Sequence, residues 1–117
     1  MAIITCTSDL GDNSHYPAII KGIVLSLYPD AKLIDVTHHV PNFDVMHAAY
    51  VVKHTYPAFP EGSIHIIAID PEQSHQVFGV VMAFNGHYFI GPNNGVLSLI
   101  SDGQITEGFE IQNEGLI

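Results

Sequence analysis

Polar residues with chemical capability stand at four places where an apolar segment of the chain ends. They are Asp9, Thr37–His38, Asp70 and Gly91–Asn94. Carboxylate, imidazole and amide groups can accept or donate hydrogen bonds to hydroxyls and water. These four groups are therefore the candidates for binding a polar ligand or acting on it.

The two aspartates each allow two interpretations. Asp9 could form an Asx turn with its own loop, or its carboxylate could accept both hydroxyls of a ribose. Asp70 could cap the turn before Pro71. However, an aspartate that ends a fully apolar strand is a costly place for an unused charge. The sequence leaves both pairs of roles open.

Histidine and aromatic residues near these positions also have alternative roles. His38 and His39 are expected to hydrogen-bond backbone carbonyls more often than a ligand. Eight histidines raise the question of a metal, but no HExxH or His-x3-His spacing occurs, so no metal is predicted. Phe43 is either a hydrophobic staple for the following helix or an aromatic platform for a purine.

Composition and missing motifs exclude several classes of protein. A formal net charge of -9, with three lysines and no arginine, disfavours nucleic acid and anionic membranes as partners. The lone Cys6 favours a reducing cytoplasm, and neither a signal peptide nor an apolar segment of membrane-spanning length is evident. No GxGxxG, GxxxxGK[ST] or GxSxG motif is present.

Hydrophobic periodicity predicts the elements that must position these residues. Alternating strands and helices, followed by a hairpin, predict a single α/β domain over residues 1–117, a three-layer sandwich with a mostly parallel sheet. Ligands of such sheets bind at the carboxyl ends of the strands. Strands are predicted at 2–7, 32–37, 63–69, 77–84 and 87–91, with helices near 17–28, 44–56 and 96–100.

Taken in order, ten segments of the chain resemble the S-adenosylmethionine (SAM) hydroxide adenosyltransferases, or SAM hydrolases, which are related to the fluorinases and chlorinases. The resemblance is collinear from about Ala2 to Ile100. The matching segments are Thr7–Gly11, Tyr16, Lys21–Ser26, Pro29–Ala31, Ile34–Pro41, Phe43–Asp44, Ala48–Val51, Phe59–His65, Ile69–Pro71 and Gly91–Leu97.

This resemblance implies an activity and a set of site residues. It implies that SAM is cleaved by water or hydroxide to adenosine and L-methionine, with no metal and no cofactor. The residue matching Asp9 would hold the ribose hydroxyls, and the one matching Phe43 would lie near the ligand. Asp70 would orient the nucleophile toward C5′ of the adenosyl group. Asn93 and Asn94 are assigned to substrate binding.

The chain departs from the family pattern after Asp70. There the family has Gly-Val-Gly-Ser and an arginine, whereas this sequence reads Pro71–Gln76 and contains no arginine. Ser14 stands where the family has an aspartate. The family's C-terminal β-barrel domain is also unmatched. We therefore expect weak or no activity from this chain alone, and a non-catalytic adenosine-binding, SAM-binding or assembly module is the alternative.

The resemblance also bears on assembly. In the family, three subunits assemble so that SAM lies between neighbours, which implies a homo-oligomer, most simply a trimer. The apolar segments Val77–Val81 and Val96–Ile100 are the predicted contact surface, because they contain no charged residues that would oppose association.

Overall fold

A computed structural model of the chain describes residues 2–11, 15–69, 80–92, 95–103 and 107–110. The strands are β1 (Ile3–Ser8), β2 (Lys32–Thr37), β3 (Ile64–Ala68), β4 (Val80–Phe84), β5 (His87–Gly91) and β6 (Glu107–Glu110). The helices are α1 (Tyr16–Leu27), α2 (Val45–Thr55) and α3 (Val96–Ile100), with a short 3₁₀ turn at Tyr56–Ala58.

The strands form one sheet in the order β2-β1-β3-β5-β4-β6. Neighbouring strands among β2, β1, β3 and β5 run parallel, whereas β4 runs antiparallel to both β5 and β6. The predicted mostly parallel α/β fold is confirmed, and the strand predicted at 63–69 is present as Ile64–Ala68. Strand β6 was not predicted from the sequence.

Alternation along the strands divides the core between the two faces of the sheet. On one face, Ile67 and Phe89 pack with residues of α2 and α3. On the other face, Ile66 and Cys6 pack with Val24 of α1. The sheet therefore lies between two helical layers, as predicted.

Burial raises the pKa of Cys6 to about 11, so its thiol stays protonated and is a poor nucleophile.

The hairpin between β4 and β5 has the turn that its sequence predicts. Asn85 has a φ of 52° and Gly86 a φ of 81°. Two successive positive φ values are the signature of a type I′ turn, for which Asn-Gly is a preferred pair.

The predicted contact surface is partly wrong. Val96, Leu97 and Ile100 are buried against the sheet and α2, because α3 packs into the larger core instead of facing outward. Residues Val77–Gly79 lie outside the described part of the chain. Exposed apolar side chains are instead found on α1, where Ile19, Ile23 and Leu27 recur at four-residue spacing.

None of the described helices is long and apolar enough to cross a membrane.

A buried histidine pair connects three strands near the amino end of β3. His65 Nδ1 lies 2.7 Å from Thr5 Oγ1, and His65 Nε2 lies 3.1 Å from His87 Nδ1. The ring of His65 also stacks on Phe89, with centroids 5.2 Å apart. Burial, reinforced by repulsion from His87, lowers the pKa of His65 to about 4. Protonation of His65 therefore opposes the folded state.

This cluster predicts a loss of stability in mild acid. In the unfolded chain His65 takes up a proton near pH 6.5, whereas in the folded chain it resists protonation down to about pH 4. The free energy of unfolding should therefore fall between these pH values, by about 3 kcal/mol in total. Urea unfolding at a series of pH values from 7.5 to 4.5 measures this fall. His65→Gln should reduce the dependence of the unfolding free energy on pH, and the control His54→Gln, at an exposed position, should not. Equal slopes for His65→Gln and the unsubstituted chain would contradict the assignment.

Candidate functional site

Two of the predicted site residues, Asp9 and Phe43, meet at the carboxyl edge of the sheet. Strands β1, β2, β3 and β5 run in one direction, so the loops that follow them emerge side by side. This edge brings Asp9 and Phe43 into contact across two loops. Asp70, Asn93 and Asn94 follow β3 and β5 in the sequence, but they lie outside the described residues.

The half-buried carboxylate of Asp9 is tied to the loop that follows β2. Its Oδ2 accepts a hydrogen bond from the backbone N–H of Phe43 at 3.0 Å. An Asx turn would instead direct the carboxylate to its own loop, to the N–H of Gly11. That N–H donates to the carbonyl of His38 at 2.7 Å. The Asx-turn alternative is therefore wrong, because the side chain of Asp9 makes a contact between loops.

Phe43 combines an open ring with an unusual backbone conformation. Its φ is 65°, a left-handed value that bulky residues rarely adopt, and 52% of its surface is exposed. A hydrophobic staple would hide the ring against the first turn of α2, and the exposure argues against that role. The adjacent Asp44 is the N-cap of α2, with Oδ1 accepting the His47 N–H at 2.9 Å.

His38 is buried and bonds to side chains, which corrects the expectation that it binds backbone carbonyls. Its Nδ1 lies 2.5 Å from Ser8 Oγ, and its Nε2 lies 2.9 Å from Asp35 Oδ1. Lys21 pairs with the other carboxylate oxygen of Asp35. Partial burial acts to raise the pKa of Asp35, but the hydrogen bonds with Lys21 and His38 outweigh it, so that pKa is lowered overall.

Sequence reasoning missed Ser8, Asp35 and Lys21. The one available signal was Asp35, a charged residue in the middle of a predicted apolar strand. The strand pairing becomes irregular directly after Asp35: Cys6 pairs with Asp35, but Thr7 pairs with Thr37. The extra residue in β2 is a bulge, a feature that redirects neighbouring side chains.

The described part of the chain contains no group of three or more histidine, cysteine, aspartate or glutamate side chains that could hold a metal ion. What the carboxyl edge presents is a carboxylate fixed by a backbone amide, next to an exposed aromatic ring. A carboxylate of this kind can accept hydroxyl hydrogens, and an aromatic face can stack on a planar base. Fold and edge together define an α/β domain whose candidate ligand-binding loops follow the carboxyl ends of parallel strands.

Residues 4–116 match the model of the SAM hydroxide adenosyltransferase N-terminal domain. The chain therefore belongs to this family, as the sequence resemblance predicted.

Known relatives agree with this membership. A protein of Methanocaldococcus jannaschii named (R)-S-adenosyl-L-methionine hydrolase is 35% identical over 105 residues, which are 86% of this chain and 40% of that protein. A fluorinase of Actinoplanes is 26% identical, covering 98% of this chain and 47% of the relative. The crystal structure of an uncharacterized conserved protein from Thermotoga maritima superimposes with a TM-score of 0.83 at 31% identity, covering 94% of this chain and 43% of that one. The chain thus spans less than half the length of these relatives.

The strained backbone of Phe43 predicts a difference between two substitutions. Both Phe43→Ala and Phe43→Gly remove the ring, but only glycine adopts the observed positive φ without strain. Phe43→Gly should therefore be more stable than Phe43→Ala by about 1 kcal/mol, the cost of a left-handed residue. Urea unfolding of the two variants measures the difference. An alanine variant as stable as the glycine variant would mean that the loop relaxes and stores no strain.

Proposed function

We propose that this chain is the substrate-binding N-terminal domain of a SAM hydrolase, which cleaves SAM to adenosine and L-methionine. The observation that carries the proposal is the position of Asp9, at the carboxyl edge of the sheet and bonded to the Phe43 amide through one oxygen. Family membership and the name of the Methanocaldococcus relative support the choice of SAM.

The proposed binding mode uses both parts of the edge. The carboxylate of Asp9 accepts the two ribose hydroxyls, an arrangement that suits a vicinal diol. Because the bond from the Phe43 amide limits its rotation, the carboxylate is oriented before the ligand arrives. The exposed ring of Phe43 offers an apolar face near the nucleoside.

The proposed reaction needs little chemical assistance from side chains. The oxygen of water or hydroxide bonds to C5′ as the C5′–S bond breaks, and the electron pair stays on sulfur to give methionine. When water attacks, its proton passes to solvent. A sulfonium is already a good leaving group, so the main requirement is an in-line nucleophile. We assign its orientation to Asp70, and further substrate contacts to Asn93 and Asn94. No cofactor is part of this proposal.

A binding module without catalysis is the second candidate, and one observation favours it. The chain has no arginine, so the cation expected near the nucleophile has no counterpart in this sequence.

We propose that the protein is located in the cytoplasm, because the lone buried thiol of Cys6 suits a reducing compartment.

Calorimetry and product analysis test the proposal together. The chain should bind adenosine and SAM, and Asp9→Ala should weaken both by tenfold or more, since about 1.5–3 kcal/mol is lost with each hydrogen bond to a charged acceptor. The exposed Asp30→Ala is the matched control and should bind normally. Adenosine formation from SAM, followed by chromatography, should be slow.

Each other outcome has a definite meaning. Turnover at ordinary enzyme rates that is abolished by Asp70→Ala would show that the chain alone is a competent enzyme. Binding with no product after long incubation would favour the module. Absence of binding to either ligand would contradict the proposed function.

We also propose that the chain forms a homo-oligomer, with a trimer implied by the family resemblance, through the apolar stripe Ile19, Ile23 and Leu27 of α1. Side chains of this size left in water favour association, because burial contributes roughly 25 cal/mol per Å². At physiological salt the repulsion from the net charge is screened.

Sedimentation velocity at micromolar concentration tests this assembly. The unsubstituted chain should sediment as an oligomer, and Ile23→Glu should dissociate it. Met46→Glu, at an exposed position on α2, should leave the assembly unchanged. A soluble monomer at low and high salt alike would overturn the proposal.

A further inference from the structure

Three side chains form a continuous hydrogen-bonded chain next to Asp9. Asp35 on β2, His38 after β2 and Ser8 at the end of β1 are linked by contacts of 2.9 Å and 2.5 Å. Ser8 and His38 are buried, whereas Asp35 is partly exposed. We call this set the Asp35–His38–Ser8 relay.

The donors and acceptors of the relay can be assigned by counting hydrogens. An ionised Asp35 carboxylate only accepts, so Nε2 of His38 carries a hydrogen and donates it. In the tautomer whose single ring hydrogen is on Nε2, Nδ1 accepts, and the Ser8 hydroxyl donates its only hydrogen to it. The Ser8 oxygen also accepts the backbone N–H of Leu10 at 3.2 Å. The donors and acceptors of these three hydrogen bonds are therefore mutually consistent.

The same three residue types form the nucleophilic triad of many hydrolases, but this geometry does not support that role. Ser8 is fully buried, with no exposed surface, and its oxygen already accepts the Leu10 amide. A nucleophile needs an accessible oxygen next to the reacting carbon. The relay is therefore suited to holding structure in place, not to attacking a substrate.

What the relay holds is the segment on either side of Asp9. Ser8 precedes Asp9, Leu10 follows it, and both are fixed through the Ser8 hydroxyl. The backbone adds two more ties between the loops: Gly11 N–H donates to the His38 carbonyl at 2.7 Å, and Val40 N–H donates to the Ser8 carbonyl at 3.2 Å. His38 is thus bonded to the loop of Asp9 through both its ring and its backbone.

We propose that His38 is a positioning residue, which acts through Ser8 to orient the Asp9 carboxylate toward the ribose hydroxyls of an adenosyl ligand. The inference rests on the proposed function. Its specific content is that the Nδ1 contact with Ser8 determines the affinity for the diol, whereas the Nε2 contact with Asp35 fixes the tautomer.

Two substitutions of His38 separate these contacts. The Oδ1 of asparagine reaches the position of Nδ1 and can still accept from Ser8, whereas glutamine reaches toward Nε2 and leaves Ser8 without its acceptor. His38→Gln should weaken adenosine binding about tenfold, as expected for a lost buried hydrogen bond, and His38→Asn should stay within about threefold. Ser8→Ala should match His38→Gln, and the double variant Ser8→Ala/His38→Gln should be no worse than either.

A ligand without the diol distinguishes positioning from general damage to the fold. Binding of 2′,3′-dideoxyadenosine should be equally weak in the unsubstituted chain and in His38→Gln. If His38→Gln weakens both nucleosides by the same factor, or binds adenosine normally while Asp9→Ala does not, the relay proposal is overturned and the proposed function stands.

Two NMR measurements test the relay without any ligand. Long-range ¹⁵N–¹H correlation should place the hydrogen of His38 on Nε2, and a hydrogen on Nδ1, alone or with Nε2, would overturn the assignment. Amide exchange at Leu10 and Phe43 should accelerate in His38→Gln and in Ser8→Ala but not in His38→Asn. Unchanged protection in a folded Ser8→Ala chain would refute positioning even if His38→Gln failed to fold, and even if adenosine did not bind.

Discussion

The hydroxyl of Ser8 and Nδ1 of the buried His38 are hydrogen-bonded to each other, 2.5 Å apart. This contact joins the ends of two neighbouring parallel strands at the point where their loops diverge. In a water-excluded position, an unpaired hydroxyl or imidazole nitrogen would cost free energy, so the two loops are held together. The Asp9 carboxylate and the Phe43 amide form a second contact between the same two loops. Together the two contacts tie the loops that carry the candidate site to each other.

Buried histidines near the two ends of the sheet have different partners and therefore different uses. His38, at the carboxyl edge, contacts a carboxylate and a hydroxyl. His65, near the amino end of β3, contacts a hydroxyl and a second histidine among aromatic rings. Burial lowers the pKa of His65, which makes its cluster a neutral part of the core. The buried histidine pair and the candidate site thus lie in separate regions of one small sheet. The left-handed backbone of Phe43 lies in the candidate site, and strain of this kind often accompanies function.

Local patterns were sufficient for most of the fold. Apolar β-branched segments identified β1, β2 and β3, and the pair Asn85–Gly86 identified the hairpin, because a residue pair that tolerates positive φ is itself the signal for that turn. Packing of the helices was less predictable. Three of the four apolar residues of α3 are buried, whereas those on one side of α1 are exposed, although both segments are rich in apolar residues. Which helix is covered depends on the neighbours that the topology supplies. Strand β6 was missed because the segment Glu107–Glu110 lacks an apolar pattern of its own.

For the candidate site, the sequence by itself determined which loops carry it. A polar residue after a buried strand of a parallel sheet must emerge at the carboxyl edge, so the strand pattern was enough to single out the loops of Asp9 and Phe43. Only the tertiary structure decided what those residues bond to. Ser8 and His38 are thirty positions apart, and Asp9 and Phe43 thirty-four. Contacts over such separations are set by strand register and by the bulge in β2. A shift of one residue in register turns every side chain of a strand to the opposite face, and no local pattern specifies the bulge.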